Sequence, residues 1–301
     1  VSQLLPTSGH AGGGAGEPTK RIVVGVDGSP GAARALDWAA AEAGRRGATL
    51  VVVGAWVGHG SAEADTPPAK EAHRVVGDAS ARVEETHPEV AVERSVLEGE
   101  PAPALLEAAR AADLLVVGAR GQGGFRGLRI GSVGQHCVTN ADCPVAIVRP
   151  AEDAPTPPDA TPRRIAVGVD GSDASVVALD WAIAEAVRCA ATLEIVAAWV
   201  FPGTAGYVFT MDVAIPEAAR EVVRTALARA AAMAPGIHVR GDVHQDPPAV
   251  ALEAVSRQAD LLVVGSRGLG AFRGLLLGAV SQHVAQHAHC SVVVVRQPGP
   301  H

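Results

Sequence analysis

Three glycines and a serine carry the clearest chemical signal in the chain. In Gly118-Ala-Arg-Gly121, followed after nine intervening residues by Gly131-Ser132, glycine lets the backbone turn sharply and present its N–H groups with no Cβ in the way, and Gly131 and Ser132 open a helix. Amides and dipole at a helix N-terminus favour negative charge by about 0.3 to 1 kcal/mol, up to roughly 2 kcal/mol when partly buried. The Ser132 hydroxyl adds a hydrogen-bonding group. A polyphosphate is the ligand such a stretch suits. The glycines return at Gly265, Gly268 and Gly278, but there the helix opens with Ala279, so one hydroxyl is missing. Ser281, where the first copy has Gly134, is expected to recover part of that bond.

Other chemistry is declined on the residues. G-x-G-x-x-G fails because Arg126 stands at its last glycine, and no G-x-x-x-x-G-K-[ST] or G-x-S-x-G is present. His283 and His287 lie one helical turn apart with His289 close by, yet the first copy has His136, Asn140 and Asp142 there, so the histidines read as a polar helix face and no metal site is assigned. Arg120 and Arg267, inside the turn, are entered as phosphate-screening residues, whereas Arg126, Arg129 and Arg273 read as solvated. Ser29 reads as a helix cap, Trp38 and Trp181 as core, and Cys143 and Cys290 as small buried side chains without a redox role.

The elements that must position these residues come from a tandem repeat. Ile22-Val-Val-Gly-Val-Asp-Gly-Ser29 returns as Ile165-Ala-Val-Gly-Val-Asp-Gly-Ser172, displaced by 143 positions, and Asp113-Leu-Leu-Val-Val-Gly118 returns as Asp260-Leu-Leu-Val-Val-Gly265, displaced by 147. Four extra residues therefore lie between Trp199 and Asp260. Val-rich runs alternate with Ala-rich amphipathic segments, predicting strands at 21–26, 49–56, 90–97, 113–118 and 144–149 and helices at 30–46, 69–86, 101–111 and 132–140. Right-handed crossovers then give a doubly wound parallel sheet per copy, with ligands bound at the carboxyl ends of strands 1 and 4. The expected organisation is a flexible tail over 1–19, a domain over 20–149, a Pro-rich linker over 150–163 and a second domain over 164–297.

Composition agrees with an α/β class: apolar residues make up 48% of the 301 and aromatics only 3%. A net charge of −7 leaves no electrostatic footprint for nucleic acid. The stretch from Ile195 to Met211 is broken by Pro202, Gly203 and Gly206, so no membrane span is expected. Four cysteines without a C-x-x-C, and a tail without an apolar signal region, point to the cytoplasm.

The spacing G-x-x-G-x(9)-G-[ST], met by Gly118, Gly121, Gly131 and Ser132, resembles the ATP-binding motif of the universal stress protein family. The strand ending Val-Gly-Val-Asp27-Gly-Ser and the copy end Cys143-Pro-Val-Ala-Ile-Val-Arg149 are similar to that family too, over residues 21–149 and 164–296. The resemblance implies two Rossmann-like sheets of five strands in the order 3-2-1-4-5, of the nucleotide-binding α-hydrolase type, joined through their strand-5 edges into an intramolecular pseudo-dimer, with a homodimer as a further option. It implies an adenine nucleotide held by Asp27, the backbone at Gly54 and Ala55, and Gly118, Arg120, Gly121, Gly131, Ser132 and Val133. In the second copy the corresponding residues are Asp170, Gly265, Arg267, Gly268, Gly278, Ala279, Val280 and Ser281. Read from the residues alone, Asp27 is equally an Asx-turn former after a strand.

The expected function is ATP binding, with or without Mg2+, by a regulator of stress response or growth arrest that acts through its conformation or through an unidentified protein partner. AMP and cyclic AMP are alternative ligands. Catalysis is not evident beyond slow ATP hydrolysis, since only Asp27 near the loop could serve as base or Mg2+ ligand. The competing readings are an adenylylating or nucleotide-hydrolysing enzyme, which would need an S-G-G-x-D-S loop that Val26-Asp-Gly-Ser29 does not supply, and a nucleotide-independent stress dimer. Gly118→Asp is expected to remove the first site with the fold intact.

Overall fold

The computed structural model describes residues 20–58, 66–121, 130–149, 161–200, 217–269 and 276–297. The 1–19 tail, most of the Pro-rich linker, and Arg126, Arg129 and Arg273 lie outside the described residues. Each Val-rich run forms a strand and each Ala-rich run a helix. In the first half these are β1 (Arg21–Gly25), α1 (Pro30–Arg46), β2 (Thr49–Trp56), α2 (Pro67–Thr86), β3 (Val92–Glu98), α3 (Pro101–Ala108), β4 (Leu114–Gly118), α4 (Ser132–Asn140) and β5 (Val145–Val148). The second half repeats them as β6 (Arg164–Gly168), α5 (Asp173–Cys189), β7 (Thr192–Ala198), α6 (Glu217–Met233), β8 (Val239–His244), α7 (Pro248–Val255), β9 (Leu261–Gly265), α8 (Ala279–His287) and β10 (Ser291–Val295). The displacement between copies is already 147 at β8 but still 143 at β7, so the extra residues precede β8.

The strands form one ten-stranded sheet in the order β3-β2-β1-β4-β5-β10-β9-β6-β7-β8. Each half keeps the order 3-2-1-4-5, and the two five-stranded sheets join through their strand-5 edges as the resemblance implies, β5 and β10 pairing antiparallel with Ala146 opposite Val293 to make one continuous sheet. A Val-rich edge strand leaves N–H and C=O groups unpaired, and joining two such edges satisfies both. Self-association through strand 5 therefore has no free edge to use. The outer strands β3 and β8 carry charge instead, including Glu93 and Arg94 on β3 and Arg240 and Asp242 on β8.

Two apolar layers sandwich the sheet and run through both halves. Helices α1, α2, α5 and α6 cover one face, and α3, α4, α7 and α8 the other. Helix α1 starts where expected: the Ala32 N–H donates to the Ser29 hydroxyl oxygen at 3.1 Å, and Pro30 sits at the first helical position. It ends on Gly47 at φ 59°, whereas α5 ends on Ala190 at φ 49°, a left-handed cap that costs a Cβ-bearing residue more than glycine. All four cysteines are buried free thiols, and burial pushes Cys143 up to about 11 and Cys290 up to about 12, which disfavours the reactive thiolate. Among the described residues no helix is long and apolar enough to cross a membrane.

Where α1 meets α5, charges are buried. Glu42 and Glu185, equivalent in the repeat, are 0% and 1% exposed. Arg46 ion-pairs with both, reaching Glu185 at 2.8 Å, while Arg45 pairs with Glu42 at 2.8 Å and Arg188 with Glu185 at 2.7 Å. The position equivalent to Arg46 is Cys189, whose thiol donates to Glu185, so one arginine serves both halves. Trp38 is core as expected, but Trp181 is only partly buried and lies under the Arg46 guanidinium at 5.1 Å. Burial and then the neighbouring Glu185 carboxylate push Glu42 above the usual glutamate range. Burial would raise Glu185 as well, but Arg46 and Arg188 hold it below.

Candidate functional site

The loop after β4 is clasped at both ends. The Ala119 N–H donates to the Val148 carbonyl at 2.9 Å, and the Gly131 N–H donates back to the Ala119 carbonyl at 2.7 Å. Gly131 therefore supplies no donor of its own. The first bond within α4 runs from the Gln135 N–H to the Gly131 carbonyl at 3.0 Å, which leaves the amides of Ser132, Val133 and Gly134 without an intrahelical acceptor. Gly131 has no side chain to cap them, and the exposed Ser132 hydroxyl makes no hydrogen bond among the described residues. The second half is built alike, with Ser266 N–H on the Val295 carbonyl at 2.8 Å and Gly278 N–H on the Ser266 carbonyl at 2.8 Å.

The glycines have a different role from the one their spacing suggests. None of Gly118, Gly121 and Gly131 takes a positive φ; Gly28 at 78° and Gly171 at 83°, in the turns after β1 and β6, do. What Gly118 provides is close approach: a Cβ there would lie 2.7 Å from the Gly31 carbonyl carbon and oxygen in the first turn of α1. At Gly265 it would lie 2.7 Å from the Ala174 carbonyl oxygen. These neighbours are backbone and cannot swing away, which overturns the expectation that Gly118→Asp leaves the fold intact. Even Gly118→Ala is expected to cost about 1 to 3 kcal/mol by overpacking, read as a lowered urea midpoint; an unchanged midpoint would refute this contact.

The aspartates tie the two loops of each half together. Asp27 Oδ1 accepts the Ser29 N–H at 2.9 Å, the Asx turn, and a Cβ on Gly121 would stand 2.5 Å from Asp27 Oδ2. Asp170 Oδ1 accepts the Ser172 amide at 3.0 Å and its hydroxyl at 2.6 Å, and Oδ2 accepts the Leu269 amide at 2.9 Å. Burial would raise Asp170, but these donated bonds outweigh it and hold the carboxyl below the usual aspartate range. Ser281 does not stand in for the missing hydroxyl at Ala279. It is buried and donates its proton to the Gly265 carbonyl at 2.6 Å.

Each half brings its candidates to one cavity at the carboxyl ends of the strands. The first, of about 750 Å³, is lined by Asp27, Gly118, Arg120, Gly121, Gly131, Ser132 and Val133, with Gly54 and Ala55. The second, of about 640 Å³, is lined by Asp170, Gly265, Arg267, Gly268, Gly278, Ala279, Val280 and Ser281. The first also has an apolar wall that the motifs did not announce: Ala72 and Val75 of α2 and Leu105 of α3. Their signal is the ordinary apolar stripe of a helix, which does not distinguish cavity from core. Glu71 is a second carboxylate beside that cavity. His283 sits elsewhere, 2.9 Å from Glu253, and His287 Nδ1 donates to the His283 carbonyl at 3.0 Å. Among the described residues no group of three His, Cys, Asp or Glu side chains could hold a metal ion.

Known proteins resemble this arrangement along nearly its whole length. The profile of the Universal stress protein family matches residues 18–149 and again 161–296. A universal stress protein of Mycobacterium tuberculosis (strain H37Rv) is 32% identical over 298 residues, covering 94% of this chain and 98% of its own length. One of Mycobacterium bovis is 33% identical over 305 residues, covering 92% and 95%. The crystal structure of a universal stress protein from Archaeoglobus fulgidus superposes with a TM-score of 0.68 at 18% identity, over 92% of this chain and 96% of that one, a likeness of fold.

Proposed function

This chain belongs to the universal stress protein family, with two copies of the domain in tandem, and from that premise we propose that each copy binds an adenine nucleotide, foremost ATP, to regulate stress response or growth arrest. The observation that carries the reading is the set of three amides, at Ser132, Val133 and Gly134, that lack intrahelical acceptors at the start of α4 and border a cavity of about 750 Å³. That volume falls within the range of roughly 300 to 1,000 Å³ typical of small-molecule sites. Phosphates sit on those amides and the Ser132 hydroxyl, with Arg120 screening charge. The base lies towards the Gly54 and Ala55 backbone, against the apolar wall of Ala72 and Val75. Where Mg2+ accompanies ATP, Asp27 is the carboxylate nearest the loop.

The lining favours binding over turnover. Both Asp170 oxygens already accept hydrogen bonds from the backbone, and Asp170 is the one carboxylate lining the second cavity among the described residues, held there as a structural acceptor. ATP turnover is expected well below about 1 per second, the low end for kinases.

The direct test is equilibrium dialysis of the full chain with ATP, AMP and cyclic AMP, alongside mass spectrometry of ligand released from freshly purified protein. Two nucleotides bound per chain supports the proposal; none sinks it in favour of a nucleotide-independent stress protein. The sites are expected to be unequal. Ser132→Ala removes one hydrogen bond of about 0.5 to 1.5 kcal/mol and weakens the first site about 2- to 13-fold, and Ala279→Ser strengthens the second by a similar factor. Calorimetric titration of each variant checks the pair; equal affinities before and after would deny the hydroxyl a role.

A further inference from the structure

Each half ends in an arginine that crosses the β5–β10 junction. Arg149, 2% exposed, follows β5 and donates to the carbonyls of Val284, Ala285 and Gln286, the last turn of α8. Arg296 follows β10 and donates to the carbonyls of Val138 and Thr139, the last turn of α4. The terminal carbonyls of a helix form its negative pole and mostly lack N–H partners, Val284, which also accepts the Ala288 N–H, being the exception here, so a cation there is the favoured occupant. Here both caps come from the other half of the chain.

The same two helices open the two cavities with their first turns. Helix α4 has nine residues, a rod of about 13 Å at roughly 1.5 Å per residue, with the Ser132–Gly134 amides at one end and Arg296 at the other. Arg296 in turn adjoins the second cavity's loop, because Val295 accepts the Ser266 N–H that starts that loop. In the other direction Val148, beside Arg149, accepts the Ala119 N–H that starts the first loop.

Resting on the nucleotide reading above, we propose that the two sites are positively coupled through these exchanged arginines: a phosphate bound in one half tightens the arginine's hold on the helix that opens the other half's site. The sign follows from charge. Burial pulls Arg296 below the usual arginine range, the Asp142 carboxylate opposes that, and the like charge of Arg267 in the second cavity's loop adds to it, so Arg296 stays charged but is repelled from the Arg267 side. A phosphate beside Arg267 neutralises that repulsion, and Arg296 caps α4 more firmly. A firmer α4 holds its first-turn amides in place for the second nucleotide, and linkage makes the effect reciprocal.

Amide hydrogen exchange on the full chain tests this. In a Gly131→Asp chain, whose first site is closed to phosphate, ATP enters only the second. The expected result is slower exchange, by about fivefold or more, at the C-terminal turn of α4 as well as at the α8 amides, with the α4 effect absent in Gly131→Asp/Arg296→Gln. Protection at the start of α8 with no ATP-dependent change in α4 overturns the coupling and leaves the nucleotide reading standing. No protection at either helix, together with no binding by the unaltered chain, overturns both. The Arg296-containing chain alone decides the matter if the double variant does not fold.

Discussion

Gly131→Asp is expected to abolish nucleotide binding at the first site while leaving the chain as stable as before, or slightly more so. Gly131 is the N-cap of α4, at φ −81° and ψ 167°, extended backbone open to any residue. A Cβ there would find its nearest neighbour, the Ala119 carbonyl oxygen, at 3.8 Å, an ordinary contact. Aspartate is among the best N-cap residues and gains a few tenths of a kcal/mol over glycine, because its carboxylate accepts the N–H of the second or third helical residue. Those are the amides assigned to phosphate. The substitution therefore fills the donors and sets a negative charge where another must come, a repulsion of about 4 kcal/mol at 4 Å in a protein-surface dielectric. The expected loss is at least about 100-fold, or 2.7 kcal/mol. Calorimetry should show stoichiometry falling from two to one per chain, with an undiminished thermal midpoint. A chain that still binds two equivalents would mean that the start of α4 does not hold the phosphates.

How far that site was legible in the sequence depends on which partner each residue answers to. The repeat and the alternation of Val-rich with Ala-rich runs predicted β2, α1 and α4 at their observed bounds, since both periodicities are local. The candidates gathered at one cavity per half because the turns after strands 1 and 4 neighbour one another whenever the strand order is 3-2-1-4-5. The chain's reason for Gly118 was hidden, because its partner is the Gly31 backbone, 87 residues away. Ser281 shows the same limit: at the start of a helix its hydroxyl looks available, and only the returning strand end at Gly265 reveals the acceptor that engages it. Arg149 and Arg296 stand at the ends of the two copies, and their targets exist only once the two halves have joined.

Arg46→Ala is expected to be the most destabilising single change at the junction of the halves, by about 3 to 5 kcal/mol near neutral pH. In the sequence Glu42, Arg45 and Arg46 look like the i,i+3 and i,i+4 pairs of a solvated helix, such as Glu71, Arg74 and Asp78 on α2, whose side chains are all more than half exposed. Burial separates the two cases. Water screens the Arg74 pairs, and Arg74→Ala should leave the urea midpoint unmoved. Arg46 is 8% exposed and touches two carboxylates that water does not reach, so removing it leaves Glu42 and Glu185 facing each other, each with a single arginine. With the shared cation gone, burial and mutual repulsion raise the carboxyl pKa values in the folded chain above the unfolded value of about 4.3. The folded state then binds more protons than the unfolded one, so the variant's stability is fullest below that unfolded value and is lost as pH rises through the raised folded one. The deficit relative to the unaltered chain should accordingly be smaller at pH 5 than at pH 8, and Glu42→Gln with Glu185→Gln should recover much of it. A deficit below about 1 kcal/mol, or one that does not vary with pH, would show that Arg46 is dispensable and that Arg45 and Arg188 suffice to carry the junction.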